Sequence, residues 1–127
     1  MAFVTIEKTR PGQHEAGDLS YAMGQSAGKP AARIVVGNAP MAQLGWVAGE
    51  TEVSVAYCPA ARRLRLCRLA PGEGGWVLRK PTHGSMQGRI EIRLGHRPLP
   101  TVPRLMVLVD RTIGDDCIEG TIPEPTT

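Results

Sequence analysis

The stretch MAQLGWVAGETEVSVAY, residues 41–57, carries the clearest fold signals in this chain. Gly45 follows a short apolar run, as the residue that ends a helix commonly does. Gly49 permits a tight turn with positive φ. The stretch therefore predicts a sharp corner between one helical turn and a strand, with Leu44 and Trp46 on either side of the glycine facing the same core.

Two alternating segments follow this corner. In EVSVAY, residues 52–57, every second residue is apolar, and LRLCRL, residues 64–69, repeats the pattern. Such alternation is typical of strands with one buried face. The intervening turn begins at Pro59, so the two segments predict a hairpin. Its inner face is apolar, and its outer face carries Arg65 and Cys67.

The chain before the corner predicts less structure. RIVV, residues 33–36, is β-branched and reads as a strand, with Asn38 as the cap of the helical turn and Pro40 in its first turn. FVTI, residues 3–6, predicts another short strand. Residues 7–32 are polar and rich in small residues, which favours a long loop or arm.

The chain after the hairpin predicts further strands. PGEGG is a turn-rich linker, and the segment HRPLPTVPR contains too many prolines for a helix or a central strand. Strand composition recurs in WVL (76–78), RIEIRL (89–94) and LMVLV (105–109). The tail predicts one edge strand at residues 118–122.

These patterns predict a mainly β fold, either a small barrel or a sandwich of short strands, with one short helical turn. The 15 glycines and 11 prolines among 127 residues agree with many short strands and turns. We divide the chain into an N-terminal strand and flexible arm (1–32), a hairpin module (33–69) and a C-terminal β extension with a tail (70–127). No segment is long and apolar enough to predict a membrane span, and no signal peptide is evident, so we expect a cytoplasmic protein.

The basic residues are concentrated in the middle of the chain. Residues 60–111 hold eleven basic and three acidic side chains, a net charge of +8, whereas residues 1–59 sum to −1 and residues 112–127 to −4. Twelve of the 15 basic residues are arginine, which binds phosphate and guanine through two hydrogen bonds at once. The pattern indicates an anionic partner. The alternative is that arginine merely takes the place of lysine on solvent-exposed strand faces.

No catalytic, metal or cofactor motif stands out. GEGG is not followed by the residues of a phosphate loop, and the serine of HGS lacks the glycines of a nucleophile elbow. Cys58 and Cys67 flank the hairpin turn, where they either lie opposite each other or remain two reduced thiols, as expected in the cytoplasm. Trp46 and Trp76 are either core anchors or platforms for stacked bases. We therefore predict a non-enzymatic protein with no cofactor and no metal.

The segments RIVV, APMAQ, LGW, AGE, EVSVAY and RLRLCRL occur in an order that resembles the AbrB/MazE-type swapped-hairpin transcription factors, over residues 33–69. The resemblance implies an interleaved homodimer that regulates transcription by binding double-stranded DNA. It implies a DNA contact at Arg33, and the basic hairpin turn adds Arg62, Arg63 and Arg65 to the predicted DNA-binding residues. The chain also resembles small prophage-encoded proteins. The alternative is therefore a phage-encoded module that binds a protein, such as an inhibitor of a host defence complex.

Overall fold

The computed structural model describes residues 18–80 and 86–124; the strand predicted at residues 3–6 lies outside these ranges. The described chain forms nine β-strands and one α-helix. In chain order they are β1 (Leu19–Ser26), β2 (Lys29–Val36), α1 (Asn38–Leu44), β3 (Glu52–Cys58), β4 (Arg63–Arg68), β5 (Trp76–Val77), β6 (Gly88–Arg93), β7 (Met106–Val107), β8 (Val109–Gly114) and β9 (Cys117–Thr121).

The strands form two antiparallel sheets. Sheet I has the order β6-β2-β1-β7, and sheet II has the order β5-β3-β4-β9-β8. Their apolar faces contribute to one hydrophobic cluster, so the two sheets pack face to face. The mainly β class with one short helix is confirmed, and the two sheets make it a sandwich.

The core forms from strands such as β4 and β6, in which buried apolar residues alternate with polar ones, because successive side chains of a strand lie on opposite faces of the sheet. Buried Tyr21 lies within it, and its hydroxyl donates a hydrogen bond of 2.6 Å to the carbonyl oxygen of Pro100. Burial, with a smaller effect of Tyr57, raises the pKa of Tyr21. The other large core side chains are Leu19, Ile34, Met41, Leu64, Leu66, Leu78, Ile92, Leu108, Ile118 and Ile122.

The predicted corner is confirmed. Gly45 has φ 70° and ψ 24°, and its N–H bonds to the carbonyl of Ala42 while the N–H of Trp46 bonds to that of Met41. This pair of bonds is the Schellman motif, which satisfies the last carbonyls of a helix and needs a residue tolerant of the left-handed conformation. Trp46 is then directed into the core, where 4% of it is exposed.

The predicted hairpin is also confirmed. β3 pairs with β4 in the register Val55↔Leu66, with Tyr57↔Leu64 beside it. Leu64 and Leu66 are fully buried, and the arginines that alternate with them point away from the core.

Three local predictions are wrong. The N-cap of α1 is Gly37, not Asn38. The long loop predicted over residues 7–32 is wrong from residue 19 onwards, because β1 and β2 form a hairpin in the register Met23↔Ala32. The predicted edge strand at residues 118–122 is an inner strand, because β9 lies between β4 and β8.

Every strand of the segment 33–69 is paired within the same chain. β2 lies between β1 and β6, β3 between β5 and β4, and β4 between β3 and β9. The ion pair of Asp18 with Arg111, at 2.7 Å, adds a contact between the start of β1 and β8. In an interleaved dimer, a second copy would pair with the strands of this segment. Here β1, β6, β5 and β9 of the same chain pair with them.

The cysteines also pair in an unexpected way. Cys67 on β4 is joined to Cys117 on β9 by a disulfide, and the two are direct cross-strand neighbours. The interpretation of Cys67 as a reduced thiol is therefore wrong. Cys58 is free and exposed, and it lies opposite Arg63 instead of Cys67.

Candidate functional site

The hairpin arginines predicted to contact DNA are held by acceptors of their own chain. Arg62 donates from Nε to the carbonyl of Ile122 at 2.9 Å. Arg63 donates to Glu119 at 3.0 Å, and Arg65 donates to the other oxygen of Glu119 at 2.6 Å. Because Glu119 belongs to β9, these bonds connect β4 to its non-local neighbour.

Glu119 is the centre of this cluster. Hydrogen bonds from Arg65 and then Arg63 lower the pKa of its carboxyl group, since both favour the charged form. Arg63 also donates to the hydroxyl oxygens of Thr121 at 3.0 Å and Thr112 at 3.2 Å. The geometry makes Arg63 a structural connector of β4, β8 and β9, and a phosphate would have to compete with these bonds.

Arg33 lies on the opposite side of the molecule. It alternates on β2 with buried Ala32 and Ile34, so it lies on the outer face of sheet I. Arg63 and Arg65 alternate on β4 with buried Leu64 and Leu66, which places them on the outer face of sheet II. The four predicted residues therefore do not form one surface.

Other arginines lie on the same outer face as Arg33. Arg79 and Arg89 form an isolated β-bridge. The backbone nitrogen of Arg79 lies 2.8 Å from the carbonyl oxygen of Arg89, and the nitrogen of Arg89 lies 2.7 Å from the oxygen of Arg79. Arg89 alternates with buried Ile90, so both arginines lie on the outer face of sheet I beside β6. Like charges directly opposite each other on neighbouring strands repel. An anion placed between these two guanidinium groups would relieve that repulsion.

Glu91 is the carboxylate of this surface. It lies opposite Arg33 in the register of β2 and β6, with an oxygen 3.5 Å from Arg33 and 3.7 Å from Arg89. Arg93 follows on the same face and is exposed. We name Arg33, Arg79, Arg89, Glu91 and Arg93 the basic face. Four positive charges against one negative charge leave it a net charge of +3.

The floor of the basic face is shaped by Gly24 on β1. A Cβ atom at this position would come within 3.0 Å of a terminal nitrogen of Arg33. The absence of a side chain allows the guanidinium group to lie flat across β1. The side chain of Arg33 is still 39% exposed, so it remains accessible to a ligand.

One cavity adjoins the basic face, and a second cavity shares one lining residue, Trp76, with it. The first has a volume of about 560 Å³ and is also lined by Ser26, Val77, Arg79, Arg89 and Glu91. The second has a volume of about 240 Å³ and is lined by Val55, Tyr57, Ile92, Arg97, Pro98 and Leu99 besides Trp76. Trp76 is partly buried and packs against the core as well.

Residues 18–80 and 86–124 contain no group of three or more His, Cys, Asp or Glu side chains placed to hold a metal ion. In the same ranges, no helix has the length and apolar character that a bilayer crossing needs. The HGS segment, residues 83–85, lies outside the described ranges.

The chain was also compared with known proteins. A scan against protein-family models, a search of curated proteins and a search of solved structures each gave no match.

Proposed function

We propose that this protein is a non-enzymatic DNA-binding regulator that contacts double-stranded DNA through the basic face. The observation that carries the proposal is the Arg79–Arg89 cross-strand pair, two cations held side by side by backbone hydrogen bonds on a face of net positive charge. Guanidinium groups bind phosphate oxygens through two parallel hydrogen bonds. The expected cytoplasmic location belongs to the same proposal.

The basic face is better suited to this role than the hairpin. Arg79 and Arg93 have no carboxylate partner within the described residues, whereas Arg63 and Arg65 share Glu119. The ion pairs of Arg33 and Arg89 with Glu91 are longer, at 3.5 Å and 3.7 Å, and partly exposed. Exposed pairs of this kind contribute only about 0–1 kcal/mol, so a phosphate can displace them at little cost.

The proposal is tested by fluorescence anisotropy with a labelled duplex of mixed sequence at two salt concentrations, ~50 and ~200 mM. We expect the wild-type protein to bind at the lower concentration and to lose affinity steeply at the higher one. The double variant Arg79→Ala/Arg89→Ala removes two phosphate contacts. It should therefore flatten the slope of log affinity against log salt by about two units.

Arg65→Ala is the matched control, because it removes one arginine from the hairpin and none from the basic face. Its side chain is 59% exposed, so the fold should tolerate the change. We expect it to leave DNA affinity nearly unchanged. If Arg65→Ala weakens binding more than the double variant does, the contact surface is the hairpin. If the wild-type protein binds no duplex at ~50 mM salt, the regulator proposal is wrong.

A second candidate function is binding to another protein, such as a host protein complex. The observation that favours it is an apolar row in the segment around β7 and β8. Leu105, Val107 and Val109 alternate along the chain and are 41%, 37% and 45% exposed. An interface centred on such a row would keep its affinity as salt rises, in contrast to phosphate binding.

A further inference from the structure

Trp76 lines two neighbouring cavities, one of which is also lined by three residues of the basic face. The larger cavity is lined by Trp76 together with Arg79, Arg89 and Glu91. The smaller cavity is lined by Tyr57, Ile92 and other mostly apolar residues, with Arg97 as its one charged residue. A ligand that occupied both would carry an anionic group next to a flat apolar group.

The size and lining of the cavities agree with a ligand of that kind. A volume of about 560 Å³ falls within the range of small-molecule sites, ~300–1,000 Å³. The smaller cavity is lined by two aromatic residues, Trp76 and Tyr57, by Val55, Ile92, Pro98 and Leu99, and by the charged Arg97. Aromatic rings beside cationic groups are the combination by which proteins hold single-stranded nucleic acids, since bases stack on the rings while arginines meet the phosphates.

A base inside a duplex cannot reach such a cavity, because both of its flat faces are covered by neighbouring base pairs. An unpaired base has a free face. The Arg79–Arg89 pair and Trp76 line the same cavity, so the phosphate and the base of one nucleotide would be held together.

We infer that the basic face binds DNA with an unpaired nucleotide, as in a single-stranded segment, with the base against Trp76 and its phosphate between Arg79 and Arg89. This inference rests on the proposed function, because it uses the same face. It adds a preference for single-stranded over double-stranded DNA, and it assigns that preference to Trp76.

The test compares an oligothymidylate of about 12 nucleotides, within the ~4–16 nucleotides that a small single-strand-binding fold covers, with a duplex of the same length. Trp46 is 4% exposed, so a change in tryptophan fluorescence on binding reports mainly on Trp76. We expect quenching by the oligothymidylate and an affinity for it about tenfold or more above that for the duplex, the effect of one base–aromatic stack. This comparison needs only the wild-type protein.

Trp76→Leu keeps an apolar side chain against the core and removes the aromatic ring. We expect this variant to lose the preference for the single strand while its affinity for the duplex stays the same. Arg104→Ala is the control for a loss of charge alone, because Arg104 is exposed and lies in the segment before β7, outside the basic face. It should weaken both ligands by the same small factor.

The outcomes separate the two proposals. Equal affinity of the wild-type protein for both ligands overturns this inference and leaves DNA binding by the basic face standing. An equal loss of both affinities in Trp76→Leu overturns the stacking role of the ring. Failure of the wild-type protein to bind either ligand overturns the proposed function itself.

Discussion

Trp46 is the residue on which the corner between α1 and β3 depends most. It is 4% exposed and packs with Met41 in the core, at the point where the Schellman motif ends the helix. We predict that Trp46→Ala lowers the free energy of unfolding by about 3–5 kcal/mol, the usual cost of removing a large buried aromatic side chain. Denaturant unfolding measures this change.

The neighbouring residue provides the control. Val47 is 50% exposed, so Val47→Ala should change the free energy of unfolding by less than about 0.5 kcal/mol. A small effect of Trp46→Ala, similar to that of Val47→Ala, would contradict the role of Trp46 as a core anchor.

Glu119 gives the protein a pH-dependent contribution to stability. Because its pKa is lowered in the folded state, the folded protein holds this proton less tightly than the unfolded chain does. The contribution is therefore complete above the ordinary pKa of a glutamate, ~4.3, and is lost as pH falls through the lower folded pKa. We predict that wild-type protein is more stable than Glu119→Gln at pH ~7, and that the difference shrinks below pH ~4.

Thermal melts across this pH range test the prediction. The two hydrogen bonds that lower the pKa come from Arg65 and Arg63. In an Arg63→Ala/Arg65→Ala background, Glu119→Gln should therefore lose most of its pH-dependent effect. The same pH dependence in that background would mean that other groups cause it.

Single residues also show what sequence patterns can predict. Gly45, Gly49 and Trp46 were predictable because each follows a local rule: a glycine after a helix, a glycine in a turn and an apolar residue next to a cap. The pairing of Arg63 and Arg65 with Glu119 was not, because the partner lies more than 50 residues away in the chain. Arg79 and Arg89 are close in the sequence, but no local pattern marks them as a pair, because only the fold places them opposite each other.

At the scale of elements, β3, β4 and β6 were predictable from alternation, although the predicted segments 52–57, 64–69 and 89–94 differ slightly in their bounds from the strands. β1 was missed although Leu19, Tyr21 and Met23 alternate with smaller residues, because its serines, glycine and glutamine resemble a loop in composition. β9 was recognised as a strand, but its inner place between β4 and β8 depends on pairing over long sequence distances. Alternation specifies which residues face the core and not which strands are neighbours.

The Cys67–Cys117 disulfide reinforces the pairing of β4 with β9 across 50 residues of chain. Closing a loop of this length restricts the unfolded chain, and removing a native disulfide commonly costs about 2–5 kcal/mol. We predict a loss of that size in Cys67→Ser/Cys117→Ser, measured by denaturant unfolding without reductant. Cys58→Ser, which changes only the free and exposed cysteine, should have little effect.

Reductant supplies the second arm of this experiment. With dithiothreitol present, the wild-type protein should approach the stability of the double serine variant. Equal stability of the wild-type and double serine proteins in the absence of reductant would contradict a stabilising disulfide.

The state of the disulfide also bears on the cellular location of the protein, because a cytoplasm keeps most protein thiols reduced. In that compartment, the pairing of β4 with β9 would depend on the backbone ladder, on buried Leu66 and Ile118, and on Glu119 with its two arginines.

At the scale of the whole molecule, the core is complete within one chain. Both sheets, α1 and the segment around β7 supply its buried side chains, and the strands of residues 33–69 find their partners in β1, β6, β5 and β9. The homodimer expected from the AbrB/MazE resemblance stays a prediction. If it forms, we expect two folded chains to associate through their surfaces, without exchange of strands.

This expectation leads to a prediction about the dependence of folding on concentration. An interleaved dimer has no folded monomer, so its melting temperature rises with protein concentration. A core closed within one chain predicts that unfolding is independent of concentration, and that dilution gives a folded species of 13.6 kDa. Light scattering and circular dichroism over a hundredfold range of concentration, from about micromolar upwards, measure both quantities. A melting temperature that rises steadily with concentration, together with loss of strand signal on dilution, would show that chains exchange strands after all.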